Sequence, residues 1–86
     1  MASKTVKIAN KLGLHARPSA KVVQTAAKYK SEITLEKDGL EVNGKSIMGV
    51  MMLAAEMGSD VKITARGDDE EEAVKALAEV IGSKFE

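Results

Sequence analysis

The chain reads as an α+β domain with a four-stranded antiparallel sheet, in the element order β-α-β-β-α-β-α. Three observations predict this. Four short segments alternate apolar and polar residues, which gives each strand one buried and one wet face and fits an antiparallel sheet covered on one side. The Asp38-Gly39 pair between the second and third segments marks a two-residue hairpin, because both turn positions tolerate positive φ. Three further stretches carry helical periodicity. At 86 residues the chain is expected to form one domain, 1–86, which would bury about 60% of its unfolded surface around a single core.

Each element has its own justification. In the first strand Val6 and Ile8 alternate with Thr5 and Lys7. The first helix is expected from near Ala16 to about Tyr29, with Pro18 in its first turn, where a missing N–H costs nothing. Its inward stripe is Val22, Val23, Ala26 and Tyr29. The second strand sets Ile33 and Leu35 against Glu32, Thr34 and Glu36; the third sets Leu40 and Val42 against Glu41 and Asn43. The turn between them puts Leu35 beside Val42 and Glu36 opposite Glu41, a like-charge pair that is mildly destabilising. A short helix from about Ser46 to Leu53 follows the turn signal Asn43-Gly44. The fourth strand alternates Val61, Ile63 and Ala65 with Lys62, Thr64 and Arg66. In the last helix Asp68 and Asp69 are candidate N-caps, and Glu70, Glu71 and Glu72 favour the dipole from its first turn. Ala73, Leu77 and Ile81 recur every four residues, widened by Val74 and Val80. The acidic run is read as a helix start and nothing more.

Composition excludes several functions. With no cysteine and one histidine, a disulfide framework, a thiolate site and a His-based metal site are all unsupported. One Tyr, one Phe, no Trp and a formal charge of zero argue against nucleic-acid binding. No apolar run follows Met1-Ala2-Ser3-Lys4, and none approaches the ~20 residues of a membrane span. The expectation is a cytoplasmic protein without direct membrane insertion. The zero charge hides an asymmetry: residues 1–31 hold Lys4, Lys7, Lys11, Arg17, Lys21, Lys28 and Lys30 and no acid, so all thirteen acids lie beyond them. A field of that sign attracts phosphate or an acidic protein surface. A plain solvated charge distribution is the alternative.

The chemistry centres on Gly13-Leu14-His15-Ala16-Arg17-Pro18. Here a loop gives way to a helix whose first amides lack intrahelical partners and whose dipole presents its positive end, an anion site. An imidazole, with an unperturbed pKa of roughly 6.5, can be a neutral nucleophile at physiological pH. Nucleophile and anion cradle together suggest phosphoryl transfer at His15. The Arg17 guanidinium can hydrogen-bond phosphoryl oxygens, and the backbone amides of Ala16 and Arg17 are further donors. A plainer reading has His15 merely capping the helix and Arg17 as a surface charge.

A second constellation is Lys45-Ser46-Ile47-Met48-Gly49-Val50-Met51-Met52. Ser46 is placed to N-cap the short helix, where a phosphate would meet the dipole favourably; capping alone also accounts for it. Ile47, Met48, Met51 and Met52 are too many apolar residues for so short a helix to bury, and adaptable Met-rich surfaces bind partners. We expect a split, some inward and one or two, Ile47 and Met48 first, facing a partner. Ile47, Met48 and Met51 are the candidate partner-binding set.

At both motifs the chain resembles the HPr family, the histidine-containing phosphocarriers of the bacterial phosphoenolpyruvate:sugar phosphotransferase system, over nearly all its length. The resemblance implies an open-faced β-sandwich with three helices on one face of the sheet. It implies a stoichiometric carrier rather than an enzyme, with no cofactor and no metal, and a monomer is expected. His15 would accept a phosphoryl group on Nδ1 from phosphorylated Enzyme I and hand it to IIA domains of sugar permeases, with Arg17 assisting. Ser46 matches the regulatory serine that an HPr kinase/phosphorylase modifies in many bacteria, with a transcriptional regulator as a further partner. Ser19 stands where the family frequently has alanine, which leaves the branch open. A nitrogen-branch paralogue is one alternative; a regulatory binding module controlled by Ser46 is the other.

Overall fold

Period-two patterning becomes a four-stranded antiparallel sheet in the computed structural model, which describes residues 1–83; the last three residues of the expected 1–86 domain lie outside it. The strands are β1 (Ala2–Lys7), β2 (Glu32–Lys37), β3 (Leu40–Asn43) and β4 (Asp60–Arg66), in the spatial order β1-β4-β2-β3. One face carries Ile33, Leu35, Val61, Ile63 and Ala65. These join a single apolar cluster with Val22 and Ala26 of α1 (Ala16–Ala26), Val50 of α2 (Ile47–Met52) and Ala73, Leu77 and Ile81 of α3 (Glu70–Ile81). The three helices therefore cover one face, an open-faced sandwich. The other face, with Thr34, Glu36, Lys62, Thr64 and Arg66, lines an open polar groove.

The hairpin takes the expected register. Asp38 and Gly39 have φ of 51° and 86°, the two positive values of a type I′ turn. Leu35 pairs with Val42 and Glu36 with Glu41. On its other side Glu36 faces Lys62 of β4, an opposite charge that offsets the repulsion. Ile8 is buried just past β1, where its amide donates to the Ser59 carbonyl (2.9 Å) and its carbonyl accepts from Gly58 (2.8 Å).

Two expectations need correction. The first helix ends at Ala26, not near Tyr29: the Lys28 and Tyr29 amides donate to Thr25 and Ala26 carbonyls, each at 3.2 Å, and tighten the chain into a 3₁₀-like exit. Asp69 occupies the N-cap position of α3, but its side chain makes no capping bond. Its carboxylate instead accepts the Lys30 amide (2.8 Å), the Ser31 amide (3.0 Å) and the Ser31 hydroxyl. The Ser31 hydroxyl first, then the Lys30 amide, hold this carboxyl below the usual aspartate value. Glu70 takes up work at the helix start, accepting the Gly67 amide at 3.1 Å and pairing with the N-terminal amine at 2.6 Å. The start of α3 is thus clipped to the segment that follows α1, so the two helices run antiparallel.

Candidate functional site

The loop before α1 is fixed from several sides. The Gly13 amide donates to the Asn10 carbonyl (3.0 Å), and the buried Asn10 Nδ2 returns a bond to the Gly13 carbonyl (2.8 Å). Gly13 has φ 69°, and a Cβ there would run into the Ala55 carbonyl oxygen. That oxygen accepts the Leu14 amide at 2.9 Å, while the Leu14 side chain is buried in the core. A left-handed backbone with no room for a side chain is a requirement for glycine.

His15 follows as the N-cap of α1, with extended backbone (φ −82°, ψ −169°). Its carbonyl accepts the Ser19 amide at 2.9 Å, the first bond of the helix. The Ala16 and Arg17 amides lie ahead of that bond, and Pro18 has none, so two N–H groups point out from the helix start. The imidazole makes no capping hydrogen bond and is exposed. His15 thus holds the N-cap position through its backbone alone, and its side chain is left free of that role.

His15 and Arg17 open onto one groove of about 490 Å³, shared with Lys21 and Gln24 farther along α1 and with Val80 and Ser83 at the end of α3. The ring is therefore neither enclosed nor turned into the core. Imidazole, guanidinium and helix start converge on a space open to an anion. Sequence reasoning missed Gln24 and took Lys21 only as one of the cations of residues 1–31, although i+4 and i+7 spacing from Arg17 puts both on its face. It also missed Asn10, the Ala55 carbonyl and the working role of Ser19, which is fully buried and donates its hydroxyl to the Leu14 carbonyl (3.1 Å). Only the fold could reveal those three.

Ser46 lies apart from this groove. It N-caps α2 as expected, its oxygen accepting the Gly49 amide at 3.1 Å. At the other end of the helix the Lys37 ammonium donates to the Leu53 (3.4 Å) and Ala54 (3.3 Å) carbonyls, a favourable charge for a helix C-terminus. The expected split among Ile47, Met48, Met51 and Met52, with only one or two facing out, does not occur. Val50 and Leu53 supply the burial, whereas Ile47, Met48, Met51 and Met52 are all exposed. Six residues make less than two turns, and one narrow stripe is all the sheet can cover. Among the described residues no group of three His, Cys, Asp or Glu could hold a metal ion, and no helix is long and apolar enough to cross a membrane.

Residues 2–83 match the family described as PTS HPr component phosphorylation site. The chain is 49% identical over 85 residues to phosphocarrier protein HPr of Neisseria meningitidis serogroup A / serotype 4A, covering 99% of this chain and 96% of that protein. Among solved structures it is similar to HPr-C-His from Thermoanaerobacter tengcongensis, with a TM-score of 0.93, 58% identity and coverage of 99% and 96%. An HPr dimer from the same organism aligns with a TM-score of 0.78 at 57% identity, over 100% of this chain and 99% of that one.

Proposed function

The chain belongs to the PTS HPr family of phosphocarriers, and from that premise we propose that His15 is its phosphoryl acceptor, loaded by phosphorylated Enzyme I and unloaded by IIA domains of sugar permeases. The Nδ1 lone pair attacks phosphorus; the N–P bond forms as the bond to the donor breaks, and the departing electron pair stays with the donor. The ring proton remains on Nε2, so the product is a phosphorylated imidazolium. Arg17 and the Ala16 and Arg17 amides receive the phosphoryl oxygens. Transfer to a IIA domain repeats the step in the opposite sense. No turnover belongs to the carrier itself, and the chain needs no cofactor. The groove is lined by described residues of a single chain, which supports a carrier that works as a one-domain monomer, in the cytoplasm where its partners meet it.

The observation that supports this reading most is the exposed imidazole, uncommitted to capping, in the same groove as Arg17 at the start of α1. Phosphoenolpyruvate with Enzyme I is expected to label the wild type with acid-labile, base-stable phosphate and to leave His15→Ala unlabelled. Equal labelling of both would end the proposal. Nitrogen-branch Enzyme I run in parallel assigns the branch.

Ser46 supports a second, regulatory output. Its hydroxyl stands at the head of α2 beside exposed Ile47 and Met48, so a phosphate added by an HPr kinase/phosphorylase would alter a partner surface formed by Ile47, Met48 and Met51, including one that a transcriptional regulator could read. ATP-dependent labelling abolished by Ser46→Ala tests it. That result combined with an unreactive His15 would make the chain a regulatory module instead.

A further inference from the structure

All five methionines of this chain are exposed: Met1 by 74%, Met48 by 71%, Met51 by 41%, Met52 by 64% and Met57 by 57%. Methionine is ordinarily a filler of cores. Here Val50 and Leu53 fill the core positions of the α2 region, and the thioethers face outward. Four of the five fall between residues 48 and 57, on α2 and the segment after it. The same region borders the His15 loop, because α1 packs on α2 and the Leu14 amide is bonded to the Ala55 carbonyl at 2.9 Å. A protein that reaches His15 covers on the order of 800 Å² of its partner. On a molecule measuring 33 × 25 × 20 Å, a footprint of that size extends over α2.

We infer that Met48, Met51, Met52 and Met57 form an oxidation site, at which a hydroperoxide converts thioethers to sulfoxides and thereby weakens docking of the phosphoryl donor without disturbing the fold. This rests on the phosphocarrier reading above. In each step the sulfur lone pair attacks a peroxide oxygen; the S–O bond forms as the O–O bond breaks. Sulfur loses two electrons, the peroxide is reduced, and the proton carried on the new S–OH passes to the departing hydroxide to give water, or to the departing alkoxide of an organic hydroperoxide to give an alcohol. The product is polar and chiral where the side chain was apolar, on a face that must shed water to dock. Leucine would offer the same apolar area without this chemistry. Met1 provides an internal control: its sulfur accepts from the Arg66 guanidinium at 3.5 Å, on the open face of the sheet.

The test treats the chain with hydrogen peroxide, locates sulfoxides by peptide mass spectrometry and measures Enzyme I-dependent labelling against carrier concentration. The expected result is a rise in KM on the order of tenfold with kcat unchanged, an unchanged melting temperature, and recovery after treatment with methionine sulfoxide reductases A and B. Met48→Gln, a polar replacement, should raise KM with no oxidant present. The KM of M48L/M51L/M52L/M57L, whatever its value, should be the same before and after peroxide. An unaltered KM in the fully oxidised wild type, a fall in its melting temperature, or peroxide sensitivity retained by the leucine variant overturns the inference. Absence of His15 labelling in untreated protein would instead remove the phosphocarrier reading beneath it.

Discussion

Two glycines at positive φ separate backbone strain from collision. Gly39 has φ 86° and nothing within 4 Å of the position a Cβ would take; Gly13 has φ 69°, and its Cβ would meet the Ala55 carbonyl. Gly39→Ala is expected to cost about 1 kcal/mol, the conformational penalty alone. Gly13→Ala adds a clash that only a backbone shift can relieve, for a total of about 3 kcal/mol. It should also slow labelling at His15, two residues on. Urea denaturation of both variants checks the difference, and equal costs would mean that the Ala55 carbonyl moves aside freely. Asp69 makes a pH prediction at the same scale. Its donors hold the folded carboxyl below the ordinary value, so protonation favours the unfolded chain. The stabilisation is full above the usual aspartate pKa of about 3.9 and disappears as pH falls through the lower folded value. Glu70, lowered chiefly by the N-terminal amine, acts in the same sense. Wild type should therefore exceed Asp69→Asn in urea midpoint at neutral pH, and the gap should close in acid. A gap independent of pH would mean that the carboxylate's charge contributes nothing to the clip.

Among the elements, α2 is the one whose start depends on a single side chain. With six residues and one cap bond, from the Gly49 amide to Ser46, it should lose about 1 kcal/mol in Ser46→Ala. Ser46→Asp keeps an acceptor at the cap and adds a charge that suits the dipole, so its melting temperature should stay near that of the wild type. Circular-dichroism melts of both variants decide this; a large fall in Ser46→Asp would mean that a phosphate there acts by unfolding rather than at the partner surface. The legibility of each element follows from where its constraints lie. The β2–β3 register could be read because Asp38-Gly39 and the alternation on each side are local. The end of α1 could not, because Ala27 to Lys30 contain no Gly or Pro, and the chain is drawn out of the helix toward a carboxylate 39 residues away. The site divides in the same way. His15 and Arg17, which share the groove, are candidates by residue type and position alone. Ser19 and Asn10 act through the carbonyls of Leu14 and Gly13, and nothing in a linear pattern says which carbonyl a buried hydroxyl or amide will find.

Across the whole molecule, the antiparallel packing of α1 on α3 turns a sequence asymmetry into a spatial one. The start of α1, with Arg17 and Lys21, shares its groove with the end of α3, while the acids Glu70, Glu71 and Glu72 open α3 at its other end. Twelve residues of helix separate the two by about 18 Å at 1.5 Å per residue. The screening length is about 8 Å at physiological ionic strength and about 30 Å at 0.01 M. A donor approaching His15 in ordinary salt therefore feels the cations at the groove and hardly feels the acids at the far end. Lys21→Glu should raise the KM for Enzyme I-dependent labelling at 0.15 M salt on the order of tenfold, while Glu71→Lys should leave it unchanged within about a factor of two. At 0.01 M salt the screening that hides the acids is gone, and Glu71→Lys should begin to lower KM. Labelling kinetics of the wild type and both variants across a salt series test this directly: KM shifts equal in size and opposite in sign at 0.15 M salt would show that net charge, and not its placement at the His15 groove, governs encounter.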